Sequence, residues 1–150
     1  MKLQFAQYNI LPCGTYILEY VNDGLNDNGT MMFIDFKVVE SDFNNKGVKT
    51  RLNIIHECSS QQILAIGQKM RKSIFQAIVS KENIDLFNEI KDSNYLFGKK
   101  FKCVVGQRND EYDLINPIKN KFTGFQCILT DNEKKKIGQE LQEIINNLKV

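Results

Sequence analysis

The sequence predicts one mainly β domain in which five strands form a barrel, with a helix between the third and fourth strands and a second helix at the C-terminus. The hydrophobic repeat supports this order, because its period is near two over residues 15–56, near 3.6 over 59–79 and near two again over 101–119. A length of 150 residues suits one domain. We expect an N-terminal arm over residues 1–10, the barrel over 11–122, and a C-terminal extension with an amphipathic helix over 123–150.

The first strand is expected over residues 15–21. Pro12 and Gly14 mark a turn before it, because proline fixes one backbone dihedral and glycine adopts the unusual ones. Tyr16, Leu18 and Tyr20 then alternate with other residues, which places these three side chains on one apolar face. Residues 22–29 are rich in Asn, Asp and Gly and predict a hairpin loop.

The second strand has a clearly defined inward face, because a one-residue slip would bury Asp35 and Lys37. Its inward residues are Met32, Ile34, Phe36 and Val38. The third strand follows the polar loop 41–46. We expect it to turn inward Val48, Thr50, Leu52 and Ile54, and to turn outward Lys49, Arg51, Asn53 and Ile55.

The central helix begins with a capping-box pattern formed by Ser59 and Gln62. Its apolar stripe contains Ile63, Leu64, Gly67, Met70, Ile74, Phe75 and Ile78. Residues 83–91 predict a second short helix whose inward residues are Ile84, Phe87 and Ile90.

The last two strands are expected over residues 101–105 and 112–115, with a polar hairpin loop over 107–111. Pro117 ends or borders the last strand, because proline cannot donate to a central ladder. Thr130 and Glu133 form another capping box at the start of the C-terminal helix. The apolar residues of that helix are Ile137, Leu141, Ile144, Ile145 and Leu148. Three strands, a helix and two strands is the order of an oligonucleotide-binding (OB) barrel, which makes nucleic-acid binding the leading hypothesis.

Composition narrows the classes of function. A net charge of +2 with 25% charged and 42% hydrophobic residues indicates neither a disordered chain nor a strongly basic protein. The four cysteines have no C-x-x-C pair, and there is a single histidine, so we expect reduced thiols and no metal site; they are Cys13, Cys58, Cys103 and Cys127. No apolar run reaches the roughly 20 residues of a membrane span, and the first residues are too polar for a signal peptide, so we expect a cytoplasmic protein without membrane contact.

Catalysis is not expected, because the sequence has no nucleophile elbow, P-loop, zinc-protease motif or dinucleotide fingerprint. One enzymatic alternative would need His56 to converge in a cleft with the acidic hairpin of Asp110, Glu111 and Asp113. A pairing of His56 with Cys58 lacks a third group to orient the histidine. We therefore expect a protein that is not an enzyme and has no cofactor.

The outward face of the second and third strands is the candidate binding surface. Phe33 supplies an aromatic ring that can stack on a base, and Asn53 an amide. Lys37, Lys49 and Arg51 supply cations that can neutralise phosphates. Ordinary cross-strand packing would also place such residues on a half-exposed sheet, so this surface alone leaves the function open.

Several segments resemble a phage-encoded family of single-stranded-DNA-binding proteins that was first catalogued as a domain of unknown function. The likeness begins with an L-P-x-G-x-Y pattern at residues 11–16 and continues through 33–38 and 47–53. It ends with a G-K-x-hydrophobic pattern at 98–101 and a closing Asn116, and so covers roughly residues 11–122. The resemblance implies an OB-type barrel that coats single strands during phage replication or recombination, in the cytoplasm of a bacterial host. The end of the chain, 146–150, lacks the acidic tip through which many such proteins recruit partners.

We therefore expect binding of single-stranded DNA without strong sequence preference, with a preference for DNA or RNA left open. Phe33 and Tyr112 are the expected stacking residues, and Asn53 belongs to the same surface. The expected phosphate contacts are Lys37, Lys49, Arg51, Lys102 and Arg108. Further partners would be a second copy of the chain and replication or recombination proteins.

The alternative is an interaction module that does not bind nucleic acid. In it, an OB-like barrel would bind another protein or a second copy through its exposed edge and its C-terminal helix. An exposed apolar stripe on that helix would favour this alternative. A stripe that packs on the parent domain would not decide between the two.

Overall fold

A computed structural model of the chain describes residues 10–40, 50–115 and 117–149. Five antiparallel strands are β1 Gly14–Leu25, β2 Met31–Val39, β3 Arg51–Ile55, β4 Lys100–Asn109 and β5 Ile118–Gln126. They form one sheet in the order β3-β2-β1-β4-β5. The helices are α1 Gln61–Val79, α2 Ile84–Asn88 and α3 Asp131–Leu148, with short 3-10 turns at Lys81–Asn83 and Ser93–Leu96. The prediction of a mainly β fold, with a helix between the third and fourth strands and another at the C-terminus, is confirmed.

The inward faces of the first three strands follow the predicted alternation. Leu18, Tyr20, Ile34 and Phe36 are buried, whereas Arg51 is exposed. A β-bulge interrupts the pairing of β1 between Tyr20 and Asn22 and lets the strand continue to Leu25. The predicted loop over 22–29 is therefore wrong in its first half. The bulge accommodates one extra residue, so the polar residues after it remain in the strand.

The sheet is strongly curled, as the contact between the rings of Phe36 on β2 and Phe122 on β5 demonstrates. Their centroids are 5.6 Å apart, although β1 and β4 lie between these strands in the sheet. In a flat sheet the two strands would be about 14 Å apart, since adjacent strands are spaced about 4.8 Å. Within the described ranges, no ladder joins β3 to β5. We call the line where these two edges face each other the seam.

Helix α1 begins one residue later than predicted. Its N-cap is Ser60, whose Oγ accepts a hydrogen bond from the backbone N–H of Ile63, so the capping box expected at Ser59 is wrong. Gly67 lies against β3, where a Cβ would collide with the backbone carbonyl oxygen of Ile55. Ile74 is fully buried, but Ile63 is exposed, so the N-terminal end of the predicted stripe lies outside the core.

The C-terminal helix α3 packs on α2 and on the 3-10 turn at Lys81–Asn83. Thr130 and Glu133 form the predicted capping box, and Ile137, Leu141 and Ile145 are buried. The side chain of Asn83 donates a hydrogen bond to the backbone oxygen of Lys134 at 2.8 Å. Because the apolar stripe of α3 packs on the parent domain, it does not decide between the two functional hypotheses. Leu148, expected within that stripe, is exposed.

The predicted fifth strand over residues 112–115 is wrong, because these residues form the loop between β4 and β5. The carboxylates of Asp110 and Asp113 accept hydrogen bonds from the backbone N–H groups of Tyr112 and Ile115, both at 3.1 Å. These local bonds compete with pairing in a ladder. Pro117 precedes the last strand and does not end it, and β5 runs to Gln126, beyond residue 122.

The thiol of Cys103 is fully buried, and burial raises its pKa to about 12. The neutral thiol therefore favours folding fully below the ordinary pKa of 9.0, and this contribution is lost as the pH rises through about 12. In native protein at pH 8 we expect an alkylating reagent to label the exposed Cys13 and to spare Cys103 until the chain is unfolded in urea. Mass-spectrometric mapping of the labelled peptides tests this. Equal labelling of both cysteines in the native protein would contradict it.

Candidate nucleic-acid interface

The register of the sheet brings three predicted site residues together on the outer face. Phe33 on β2 pairs directly with Asn53 on β3, and the neighbouring Asp35 pairs with Arg51. Residues directly opposite each other on antiparallel strands share a face. Phe33, Arg51 and Asn53 therefore form one continuous surface, as the sequence predicts.

Arg51 is held in one orientation by two neighbours. Its Nε and NH2 atoms donate to the two carboxylate oxygens of Asp35 at 2.6 and 3.2 Å. Its guanidinium carbon lies 4.4 Å from the centre of the Phe33 ring. The hydrogen bond with Asp35 raises the pKa of Arg51. The charge of Arg51 is thus largely compensated, but its planar guanidinium is a preorganised surface on which a base can stack.

Gly24 explains why the Phe33 ring lies where it does. A Cβ at Gly24 would come within 2.6 Å of the ring carbon Cζ of Phe33, so the ring rests directly on the backbone of β1. Arg51 contacts the same ring. The ring is therefore only half-exposed, and a base would meet the guanidinium of Arg51 as well as Phe33.

The lysines of β2 and β4 differ in whether a carboxylate lies opposite them in the sheet. Glu19 on β1 pairs with Lys37 on one side and Lys100 on the other, so one carboxylate faces two lysines. Lys102 has Ile17 and Gln126 as its cross-strand partners, neither of which is charged. Lys102 thus has no opposite charge in its own row of the sheet.

Lys119 on β5 organises the loop that carries Tyr112. Its Nζ lies 3.0 Å from a carboxylate oxygen of Asp110 and 3.2 Å from one of Asp113. The hydrogen bond with Asp110 raises the pKa of Lys119 and lowers that of Asp110. Both acids therefore have a structural role in holding the loop. Tyr112, a predicted stacking residue, projects from this loop with 99% of its surface exposed.

His56 lies away from the acidic loop, beside α1. Its Nδ1 is 3.3 Å from a guanidinium nitrogen of Arg71. Both residues line a pocket that contains none of the three hairpin acids. Within residues 10–40, 50–115 and 117–149, no cluster of three His, Cys, Asp or Glu side chains is placed to hold a metal ion. The same ranges contain no helix long and apolar enough to cross a membrane.

A cleft of about 460 Å³ follows the seam, and we call it the seam cleft. Its polar lining consists of the cations Arg51, Arg108, Lys119 and Lys121, the amides of Asn53 and Asn120, and Thr123. Its apolar lining consists of Ile10, Leu52, Met70 and Phe122. No aspartate or glutamate is found among these lining residues. A cleft with this lining is suited to an anion that also has an apolar part.

The side chain of Asn120 on β5 holds the segment at Leu11, which leads into β1. Its side-chain oxygen accepts a hydrogen bond from the backbone N–H of Leu11 at 2.9 Å. Its amide nitrogen donates to the backbone oxygens of Leu11 at 2.9 Å and Gly106 at 3.0 Å. Gln107 on β4 also donates to the backbone oxygen of Leu11, at 3.2 Å. Asn120 is therefore a structural residue that helps to hold the segment at Leu11 against β4 and β5.

The structure distributes the predicted site residues over three places. Arg51, Asn53 and Arg108 line the seam cleft, Lys37 and Lys102 lie on the outer face beyond it, and Tyr112 lies in the loop. Lys49, like Val48 and Asn116, is outside the described residues. Phe33 reaches the cleft through its contact with Arg51.

Lys119 and Lys121 were missed because the fifth strand was expected at 112–115. A signal was present in the sequence, since polar residues alternate there with Phe122 between Pro117 and Gly124. With Ile118 and Phe122 as its only large apolar residues, this segment has too weak a pattern to outweigh the apolar run at 114–115.

No protein-family model matches the chain, and no curated protein matches it.

Proposed function

We propose that this protein binds single-stranded DNA without strong sequence preference, through the seam cleft and the neighbouring outer face. The observation that carries the proposal is the lining of the seam cleft, which has four cations and, among the described residues, no carboxylate. A nucleic-acid backbone is recognised by cations that release its counterions. A net charge of +2 is no obstacle, because the cations are concentrated in one place.

We infer that the curled sheet is an OB-type barrel with an open seam. Three features support this. The strands and helix follow each other in the OB order. β1 pairs with both β2 and β4. The contact of Phe36 with Phe122 brings β2 and β5 close across the interior. In OB barrels the strand face and the loops at its end form the site for single strands.

The cations of the site are not equivalent. Arg51 and Lys119 are paired with carboxylates, and each pair reduces the charge available to a phosphate. Among the described residues, no ion pair involves Lys102, Arg108 or Lys121, although the charge of Arg108 helps to lower the pKa of Asp110. These three are the phosphate-binding cations in our proposal. Each phosphate that they neutralise adds about 0.7 to the slope of log affinity against log salt for a single strand.

The expected preference for single strands follows from two planar side-chain groups that can stack on bases. The guanidinium of Arg51 and the ring of Tyr112 offer stacking surfaces, and only an unpaired strand can turn its bases towards them. Each stacked base contributes about 1 to 3 kcal/mol. By the resemblance of its sequence motifs, we place this activity in phage DNA replication or recombination.

Fluorescence anisotropy of labelled oligo-dT and of a labelled duplex, each at two salt concentrations, tests the proposal. We expect at least about tenfold tighter binding of oligo-dT at low salt, which corresponds to one stacked base. We expect its affinity to fall between 50 and 200 mM salt. Equal binding of duplex and single strand would refute the single-strand proposal, and an affinity unchanged by salt would refute its electrostatic part.

One observation favours the alternative of an interaction module. Leu114 and Ile115 are 94% and 79% exposed on a loop that Lys119 holds in place. An ordered loop that presents apolar side chains to solvent is typical of protein contacts. The same anisotropy titration separates the two functions, because an interaction module would leave oligo-dT unbound at low salt. Sedimentation of the protein alone would then reveal self-association.

A further inference from the structure

The seam cleft has two layers of different chemistry. Leu52 and Met70 are half-buried and line it together with the buried Phe122, so its floor is apolar and accessible. The cations Arg108 and Lys121 lie at its exposed rim. A volume of about 460 Å³ falls within the roughly 300 to 1,000 Å³ of small-molecule sites. The ligand that fits such a cleft has a flat apolar part joined to an anionic part.

We propose that the seam cleft takes one nucleotide unit, with its base inserted between β3 and β5 and its phosphate on Arg108 and Lys121. This inference rests on the proposed function and adds a base-binding pocket to it. The base would contact Met70, whose thioether sulfur interacts favourably with aromatic rings. The strand would thus cross the domain at the seam, with one base inside the wall of the sheet and its neighbours on the outer face.

An extended acidic peptide is the competing occupant, because strands can add to open sheet edges. One observation disfavours it. Within the described ranges, β3 has five residues. A ladder on this edge would be short, whereas a single base needs only the apolar floor.

The experiment uses an oligo-dT strand that contains one 2-aminopurine, a fluorescent base. Acrylamide quenches an exposed 2-aminopurine, so a base inserted in the cleft is protected from quenching. We expect protection on binding to the wild-type protein. In Met70→Trp, whose larger side chain fills the floor, we expect protection to be lost and affinity to fall about tenfold, as for the loss of one stacked base. The matched control Ile66→Trp adds the same side chain at an exposed position of α1 that does not line the cleft, and it should keep the protection.

Photocrosslinking with 5-iodouracil in the same oligonucleotide gives a readout that requires no variant, should Met70→Trp fail to fold. We expect crosslinks at Met70 or Phe122. Crosslinks confined to Phe33 and Tyr112, or protection unchanged in folded Met70→Trp, would overturn the inference and leave single-strand binding intact. An oligonucleotide that does not bind at all would overturn the proposed function itself.

Two further arms identify the source of the nucleotide and exclude the peptide. Protection of free 2-aminopurine deoxyribonucleoside monophosphate, lost in Met70→Trp, would support the cleft and show that it also accepts free nucleotides. Protection seen only in the oligonucleotide would support a strand as the source. Displacement of the oligonucleotide by polyglutamate, at equal charge concentration and with equal efficiency, would overturn the assignment of a base to the floor.

Discussion

Replacing Phe36 by alanine is expected to lower the free energy of unfolding by about 3 to 5 kcal/mol, the usual cost of removing a buried phenylalanine. Phe36 is buried on β2, and its ring is 6.1 Å from that of Tyr20, 5.3 Å from that of Phe101 and 5.6 Å from that of Phe122. These three partners belong to β1, β4 and β5. The cavity would therefore open against three strands at once and weaken the contact that curls the sheet.

Urea unfolding followed by circular dichroism measures this effect. Phe33→Ala is the matched control, because Phe33 lies on the half-exposed outer face of the same strand. We expect the control to lose less than half as much stability. Phe36→Leu, which retains most of the buried volume, keeps the comparison possible if the alanine variant does not fold. Similar losses at positions 33 and 36 would contradict the assignment of Phe36 to the centre of the core.

The double variant Arg108→Ala with Lys121→Ala is expected to weaken oligo-dT binding about tenfold or more at low salt. Both cations line the seam cleft, and neither forms an ion pair within the part of the chain that the structure describes. Loss of two phosphate contacts should also reduce the slope of log affinity against log salt by about 1.4. Anisotropy titrations at four or more salt concentrations give both values.

The matched control for this variant removes the same formal charge elsewhere. Lys135 and Lys136 are exposed on α3, and Lys135→Ala with Lys136→Ala should leave both the affinity and the salt slope nearly unchanged. If the two double variants weaken binding equally, net charge rather than the seam cleft explains the affinity. Both residues of the cleft variant are surface cations, so thermal melting should find it folded.

The architecture was predictable where alternation is strong. On β2, a register shifted by one residue would bury Asp35 and Lys37, and in the structure neither side chain lies on the inward face. The prediction of the last strand was wrong because local side-chain hydrogen bonds, which the hydrophobic pattern does not reveal, determine the conformation there. Asp110 and Asp113 bind backbone N–H groups in the loop, so an apolar run at 114–115 that resembles a strand remains in solvent.

The candidate site could be predicted only in part, for a related reason. The outward positions of Arg51 and Asn53 follow from the alternation of their strand. Their electrostatic state depends on register, because Asp35 compensates Arg51 only once β2 and β3 are aligned. The seam cleft joins residues of β3 to residues of β5 that are more than 60 positions away in the sequence. No periodicity within one strand carries that information.

The open seam also affects how copies of this chain meet each other. A strand edge without a neighbour can pair with the edge of a second molecule, which leads to aggregation. Arg51 on β3 and Lys121 on β5 place positive side chains at the two edges of the seam, and Lys121 forms no ion pair among the described residues. Such charges oppose pairing between identical edges. We therefore expect the charged side chains at the seam to disfavour edge-to-edge pairing of two copies.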